Sequence, residues 1–255
     1  MTYILDDLRN KFDFFLRNKI TFSRRNYSEK AEDLSGIFTG KEQENLYEVL
    51  KQKYDYSLLE DSTRRNFSAN VYFLSVFDKY LSKRKGEKLS VLDIGSKNWA
   101  YVKSEYVFFK SFAKDFNLTG IELDAYRMYS NFYTRYEIAK FYTKDLENTN
   151  YIAGDLLEHK GKYDCIIWIL PFITEYPLVK WGLPLRYFKP EEMLLHAYKL
   201  LNKGGEMLII NQGEDEYQIQ QELNRKLGLS SENYGKIDDV FGVFRNDRYC
   251  LKVTN

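Results

Sequence analysis

The chain has 255 residues, 44% of them hydrophobic, enough to bury a full core as one domain or as one large domain with a small helical attachment. Lysine and arginine nearly cancel aspartate and glutamate, leaving a formal charge of +1, so no global field advertises a nucleic acid or a membrane surface as partner. The two cysteines, Cys165 and Cys250, lie far apart in apolar runs and can build neither a disulfide framework nor a thiolate zinc site, and no metal is expected.

The opening MTYILDDLRNKFDFF mixes acids and bases where a secretory signal needs an unbroken apolar stretch, and nothing later reaches transmembrane length. With reduced cysteines, this suits a cytoplasmic protein. Ile4, Leu5, Leu8, Phe12, Phe15 and Leu16 recur at the interval that lines one helical face, a stripe that needs something to pack on. A second helix runs through Leu46, Val49, Leu50 and Tyr54. A third runs through Phe67, Val71, Leu74, Phe77 and Leu81, behind the N-cap candidates Asp61, Ser62 and Thr63. The charged stretch Lys83 to Lys88, with Gly86 inside it, predicts a helix stop and a boundary between a helical region, 1–87, and a second unit, 88–255.

From Lys88 onward short apolar runs alternate with longer amphipathic ones, the pattern of βαβ units. The predicted strands are LSVLDI, LTGIEL, TNYIAG, YDCIIWIL and GEMLII. Helices are expected over Lys103 to Phe116, Tyr126 to Lys144, Glu191 to Leu201 and Tyr217 to Leu227. VFGVFR and RYCLKVT, around an Asn246-Asp247 turn, read as a closing hairpin. The fold class expected is α/β: a Rossmann-like, mostly parallel seven-stranded sheet with helices on both faces and a C-terminal antiparallel hairpin, preceded by an α-helical region.

Three strands end in acids. Asp93 precedes Gly95, whose freedom permits a tight turn close to a ligand. Glu122 ends the second strand, where a carboxylate can accept both hydroxyls of a ribose. Asp124 is the competing acid and reads as a cap for the next helix. Asp155 ends the third strand and can accept an adenine amine, or serve only as an N-cap. Open α/β sheets bind ligands at this edge.

Here the chain resembles a known family. Asp93-Ile94-Gly95 is similar to the first motif of the class I S-adenosylmethionine-dependent methyltransferases, Gly120-Ile121-Glu122 to the second, Gly154-Asp155 to the third and Tyr163-Asp164-Cys165-Ile166 to the fourth. Leu200 to Met207 resembles their glycine-glycine turn before the fifth strand. The resemblance runs from about Lys88 to the end and implies S-adenosyl-L-methionine as cofactor: Gly95 against its methionine part, Glu122 on ribose, Asp155 and the Leu156 backbone around adenine. It leaves the helical region uncovered, and a cap or one wall of the acceptor site is the role expected there.

One departure stands out. Lys97 and Trp99 occupy positions where the family carries glycines, so the loop must take another path or the pocket must change. Trp99 could pack over the ligand, by cation–π attraction to a sulfonium, or seal an empty site. Asn98 tolerates left-handed geometry and is expected to replace a missing glycine. Beyond the fourth strand, Pro171 and Phe172 are expected to shape the acceptor pocket, and Glu175, Tyr176, Lys180, Trp181 and Arg186 are its polar candidates, Glu175 and Tyr176 foremost for catalysis. His159 and His196 lack ligand-spaced partners and read as structural. Arg24-Arg25 and Arg64-Arg65 are either phosphate grips or solvated faces. A small-molecule acceptor is expected. The rival readings are a non-catalytic module that keeps the fold, and a nicotinamide-dependent oxidoreductase, disfavoured by the absence of Gly-x-Gly-x-x-Gly.

Overall fold

The computed structural model describes residues 3–20, 26–84 and 88–255. Strands β1 (Leu89–Ile94), β2 (Phe116–Glu122), β3 (Thr149–Ala153), β4 (Tyr163–Ile169), β5 (Leu201–Gln212), β6 (Ser231–Ile237) and β7 (Arg248–Thr254) form one sheet in the order β3-β2-β1-β4-β5-β7-β6. β1 to β5 run parallel, and β7 inserts antiparallel between β5 and β6. The chain turns outward in opposite directions from β1, to β2 on one side and β4 on the other. At such a switch point the connections diverge and leave a crevice beyond the strand ends.

Strand periodicity divides the core. Val91, Cys165, Ile167, Leu208, Ile210 and Cys250 face one side, while Leu92, Ile94, Ile166, Trp168, Met207, Ile209 and Leu251 face the other. The first side is covered by α4 (Arg64–Tyr80), α5 (Val102–Lys110) and α6 (Arg135–Thr143), the second by α8 (Pro190–Leu200) and α9 (Gly213–Lys226). Helices α2 (Lys41–Lys53) and α3 (Ser57–Glu60) add Leu50, Tyr56 and Leu59 to the first side, so the helical region and the sheet share one apolar core. Of the three expected caps of α4 it is Thr63 that acts, its hydroxyl accepting the Asn66 N–H at 3.2 Å. The helix stop expected at Gly86 lies outside the described residues, as does the pair Arg24-Arg25.

Helix α1 (Ile4–Lys19) corrects the sequence reading. Leu5 is 83% and Phe12 62% exposed, and Ile4, Leu8 and Phe15 are also open to solvent. The buried face is Asp7, Asn10 and Phe14. Polar anchoring decides the orientation: Asn10 Nδ2 donates to the carbonyls of Val179 and Leu183, and Asp7 accepts the Leu185 N–H at 2.7 Å. These bonds pin α1 to the segment between β4 and α8, which contains α7 (Glu175–Lys180). Phe14 packs there with Leu178, Val179 and Leu183. Changing Leu5 and Phe12 together to glutamine should therefore shift stability by less than about 0.5 kcal/mol. Phe14→Ala should cost about 3 kcal/mol in urea melts; the reverse ranking would mean that the apolar stripe is the packed face.

Three further elements differ from expectation. α5 stops at Lys110, because Phe116 and Asn117 already pair with Leu89 and Ser90 in the sheet. α6 begins only at Arg135, where Thr134 and Glu137 close a capping box, and 126–134 is loop. VFGVFR is no strand; SENYGKI pairs with β7 instead. Asp239 folds the VFGVFR segment back by accepting the N–H groups of Val243 and Phe244. Its rings are used against the N-terminal helical region, Phe241 on Phe38 in the loop before α2 at 4.7 Å and Phe244 on Tyr72 of α4 at 5.0 Å. No helix among the described residues is long and apolar enough to cross a membrane.

Candidate cofactor and acceptor site

The parallel register sets the ends of β1, β2 and β3 side by side: Ile94 lies opposite Ile121, and Glu122 opposite Ala153. Beyond them opens a cleft of about 1870 Å³ lined by Gly95, Glu122, Asp155 and Leu156. Pro171, Phe172, Trp181 and the start of α4 also line it. Small-molecule pockets commonly measure about 300–1,000 Å³, so this cleft is large enough for a nucleoside cofactor and an acceptor together.

The loop after β1 is tied to the end of β2. The N–H groups of Gly95 and Ser96 donate to the Ile121 carbonyl, and that of Lys97 donates to Glu122 Oε2 at 2.9 Å. Gly95 has φ +72°, with open space where a side chain would begin. Lys97 (φ +57°) and Trp99 (φ +46°) are left-handed as well. The loop thus keeps a backbone path suited to glycine while carrying side chains, at a cost of about 1–2 kcal/mol for each. Asn98, expected to take that geometry, does not.

Trp99 explains how this is possible, and corrects its expected place over the ligand. Its indole is fully buried beneath the loop, outside the cleft lining, and donates to Glu105 Oε2 at 3.0 Å. The ring lies on the backbone of Gly120, where an added Cβ would come within 2.8 Å of it. Gly120, inside β2, makes the room that the loop glycine would otherwise supply.

Asp93 also turns inward, towards α5. It is fully buried and accepts the Tyr101 hydroxyl at 3.1 Å. Burial raises its pKa from 3.8 to about 7, despite hydrogen bonds from Glu105, Tyr101 and Ser96. Burial and the adjacent Asp93 hold Glu105 well above the usual carboxyl range, so Glu105 is the proton donor of the pair. A carboxyl whose folded pKa exceeds its unfolded value binds extra protons when folded. The contribution of Asp93 is complete below about 3.8 and is lost as pH rises through about 7, and that of Glu105 is lost at higher pH. Glu105→Gln donates without a titrating proton, so its melting temperature relative to the parent should rise between pH 5 and pH 8. A constant difference in calorimetry across that range would refute the shared proton.

Glu122 is nearly buried and heavily engaged. Oε1 accepts the Asp124 N–H at 2.8 Å and Arg135 at 3.2 Å, while Oε2 accepts Lys97 N–H. A carboxylate offers about four acceptor sites, so one remains for a ribose hydroxyl unless Arg135 lets go. The expected grip on both hydroxyls is not available in this conformation. Asp124 is no helix cap: fully buried, it meets Arg17 at 2.5 Å, Arg135 at 3.5 Å and Arg127 at 3.6 Å. Arg17 comes from α1 and also donates to the Gly182 carbonyl, so this cluster fastens α1 and the segment after β4 over the β2 end. Trp181, in that segment, is flanked by Lys97 Nζ at 5.1 Å and by the Arg135 guanidinium at 4.7 Å.

Asp155 both caps and lines. Its Oδ1 accepts the Leu157 N–H at 2.9 Å at the head of a 3-10 turn, Leu156–Glu158, and Oδ2 takes no part in that bond. Pro171 and Phe172 border the cleft, as do Lys180 and Arg186. Glu175 is exposed outside the lining, and Tyr176 sits at the rim, 56% exposed, 6.4 Å from Tyr3. Hydroxyls that the sequence did not single out lie deeper: Tyr101 on Asp93, Tyr142 on Glu29, and Tyr129 beside Arg135. Only the density of tyrosine hinted at them. His159 Nε2 pairs with the Tyr163 hydroxyl at 2.7 Å, and His196 Nε2 with the His159 carbonyl at 2.9 Å; neither lines the cleft.

Comparison with solved structures places this architecture. A SAM-dependent methyltransferase from Aquifex aeolicus superimposes with a TM-score of 0.50 over 82% of this chain and 96% of its own, at 12% identity. A methyltransferase from Pyrococcus furiosus, 19% identical, gives 0.49 over 72% of this chain and 83% of its own. No family model matches the sequence, and no curated protein matches it significantly. At such identities the likeness is one of fold, and the fold is that of the class I methyltransferases.

Proposed function

On this fold, we propose that the chain is an S-adenosylmethionine-dependent methyltransferase acting on a small molecule in the cytoplasm. The observation that carries the reading is the convergence of Gly95, Glu122, Asp155 and Leu156 on one cleft at the switch point. The residues fit the cofactor in kind: open space at Gly95 for the methionine part, one acceptor site on Glu122 for a ribose hydroxyl, Asp155 Oδ2 for the adenine amine. When bound, the cofactor supplies an electrophilic methyl group. Gly95, Glu122 and Asp155 would hold it and so present that methyl to a lone pair of the acceptor. The chain's part is to align the two and exclude water.

The helical region contributes the other wall through α4 and its cap, since Thr63, Arg65, Asn66, Ala69 and Phe73 line the cleft. Pro171 and Phe172 border the acceptor side, and both cysteines are buried and free, in keeping with a reducing compartment. Calorimetric titration with S-adenosylmethionine and S-adenosylhomocysteine tests the reading. Binding of both in the micromolar range is expected, followed by methyl transfer to one member of a small-molecule panel. No binding of either would refute the methyltransferase reading, and binding without turnover would favour a non-catalytic module.

A further inference from the structure

The cleft holds positive charge that the methyltransferase reading does not use. Arg65 and Lys97 both line it, and neither has a carboxylate partner or a hydrogen-bond acceptor for its side chain among the described residues. The neighbouring Arg64 is spent: its N–H donates to Glu32, and its guanidinium to the carbonyls of Asp33 and Ser35. Lys97 Nζ meets only the face of Trp181. It keeps solvent contact inside the cleft while protein crowds it. That desolvation, followed by the positive charges of Arg135 and Arg65, lowers its pKa, with Glu122 opposing. Glu122 is already committed to Arg135 and to backbone N–H groups, and Glu29, another acid of the lining, carries the hydroxyls of Tyr27 and Tyr142.

The start of α4 is already served, since Glu32 accepts the Arg64 N–H at 2.7 Å and Thr63 accepts that of Asn66. Asn66, only 7% exposed and part of the lining, has an Nδ2 without an acceptor. A buried donor is seldom left unpaired, because its desolvation is then uncompensated.

We propose that Arg65, Lys97 and the Asn66 amide receive an anionic group, carboxylate or phosphate, carried by the methyl acceptor. The proposal rests on the methyltransferase reading. The lining also carries Asp155 and, from the first turn of α9, Glu214, Asp215 and Glu216, so what is unpaired is the charge of Arg65 and Lys97 and not that of the cleft as a whole. An anionic group on the acceptor would pair with these two cations and be drawn to them.

Inorganic phosphate and malonate serve as probes, titrated at low ionic strength into protein saturated with S-adenosylhomocysteine, with chloride as control. Saturable millimolar binding of at least one is expected, and the tighter of the two identifies the group. Arg65→Gln and Lys97→Gln should each weaken it tenfold or more, while Arg65→Gln moves the Kd for S-adenosylmethionine less than threefold. Failure of both probes to bind the loaded protein overturns the proposal, as does probe affinity unchanged in the variants. A tenfold loss of S-adenosylmethionine affinity in Arg65→Gln also overturns it, because the cations would then serve the cofactor's own carboxylate. If the parent binds no S-adenosylmethionine, only the methyltransferase reading fails. Probe binding to cofactor-free protein that Arg65→Gln abolishes then upholds the anion site, and absent binding overturns it too.

Discussion

Trp99→Ala should destabilise the protein by about 4 kcal/mol, within the range for removing a fully buried large aromatic. The indole fills the space between the β1 loop and Gly120 and supplies the donor to Glu105, so its loss leaves a cavity and a buried carboxyl oxygen without its partner. Relief of left-handed strain returns little, since alanine still has a Cβ there. Trp99→Phe keeps most of the volume and should cost about 1–2 kcal/mol, while the Kd for S-adenosylmethionine in the folded variant stays within threefold. Urea melts and calorimetry on the same samples separate the two quantities. If affinity collapses while stability holds, the ring faces the ligand and the buried placement is wrong.

Glu122→Ala should lower S-adenosylmethionine affinity by at least tenfold and stability by about 3 kcal/mol, as expected when one partner of a buried ion pair is removed. Both losses come from one carboxylate, which holds the Lys97 N–H, the Asp124 N–H and Arg135 together. Glu122→Gln keeps an acceptor for one N–H but turns its amide toward other donors, so it should fall between parent and alanine in both readouts. Unchanged cofactor affinity in the alanine variant, measured on protein shown to be folded, would remove the β2 end from the cofactor site.

Much of the sheet was legible because its signal is local. Five apolar runs at the right separation mark β1 to β5, and acids at the ends of three of them mark the edge that opens into the cleft. β6 was hidden: SENYGKI borders solvent at the sheet edge, and its alternation carries too little apolar contrast to be seen beside the aromatic VFGVFR. Periodicity disclosed the stripe on α1 but not which face packs, since Asp7, Asn10 and Arg17 find their partners in distant segments. The acids of the site were readable from strand ends. The groups that occupy them were not, because Arg135 and Trp181 reach the β2 end only through tertiary folding. The sequence leaves Trp99 either over the ligand or sealing the site, because its partner, Gly120, becomes its neighbour only when β1 and β2 pair.

The bonds from Asn10 to Val179 and Leu183 span 169 and 173 positions of chain. During synthesis α1 leaves the ribosome well before the segment that holds it, which emerges only after β4. Until then its polar side has only Arg17 on Asp124 to hold it and Phe14 lacks Leu178, Val179 and Leu183, so the nascent chain carries a largely uncommitted amphipathic helix. Such a helix is the kind of exposed surface on which chaperones act and from which aggregation starts, so a truncation ending before residue 170 should be far less soluble than one that also lacks residues 1–20.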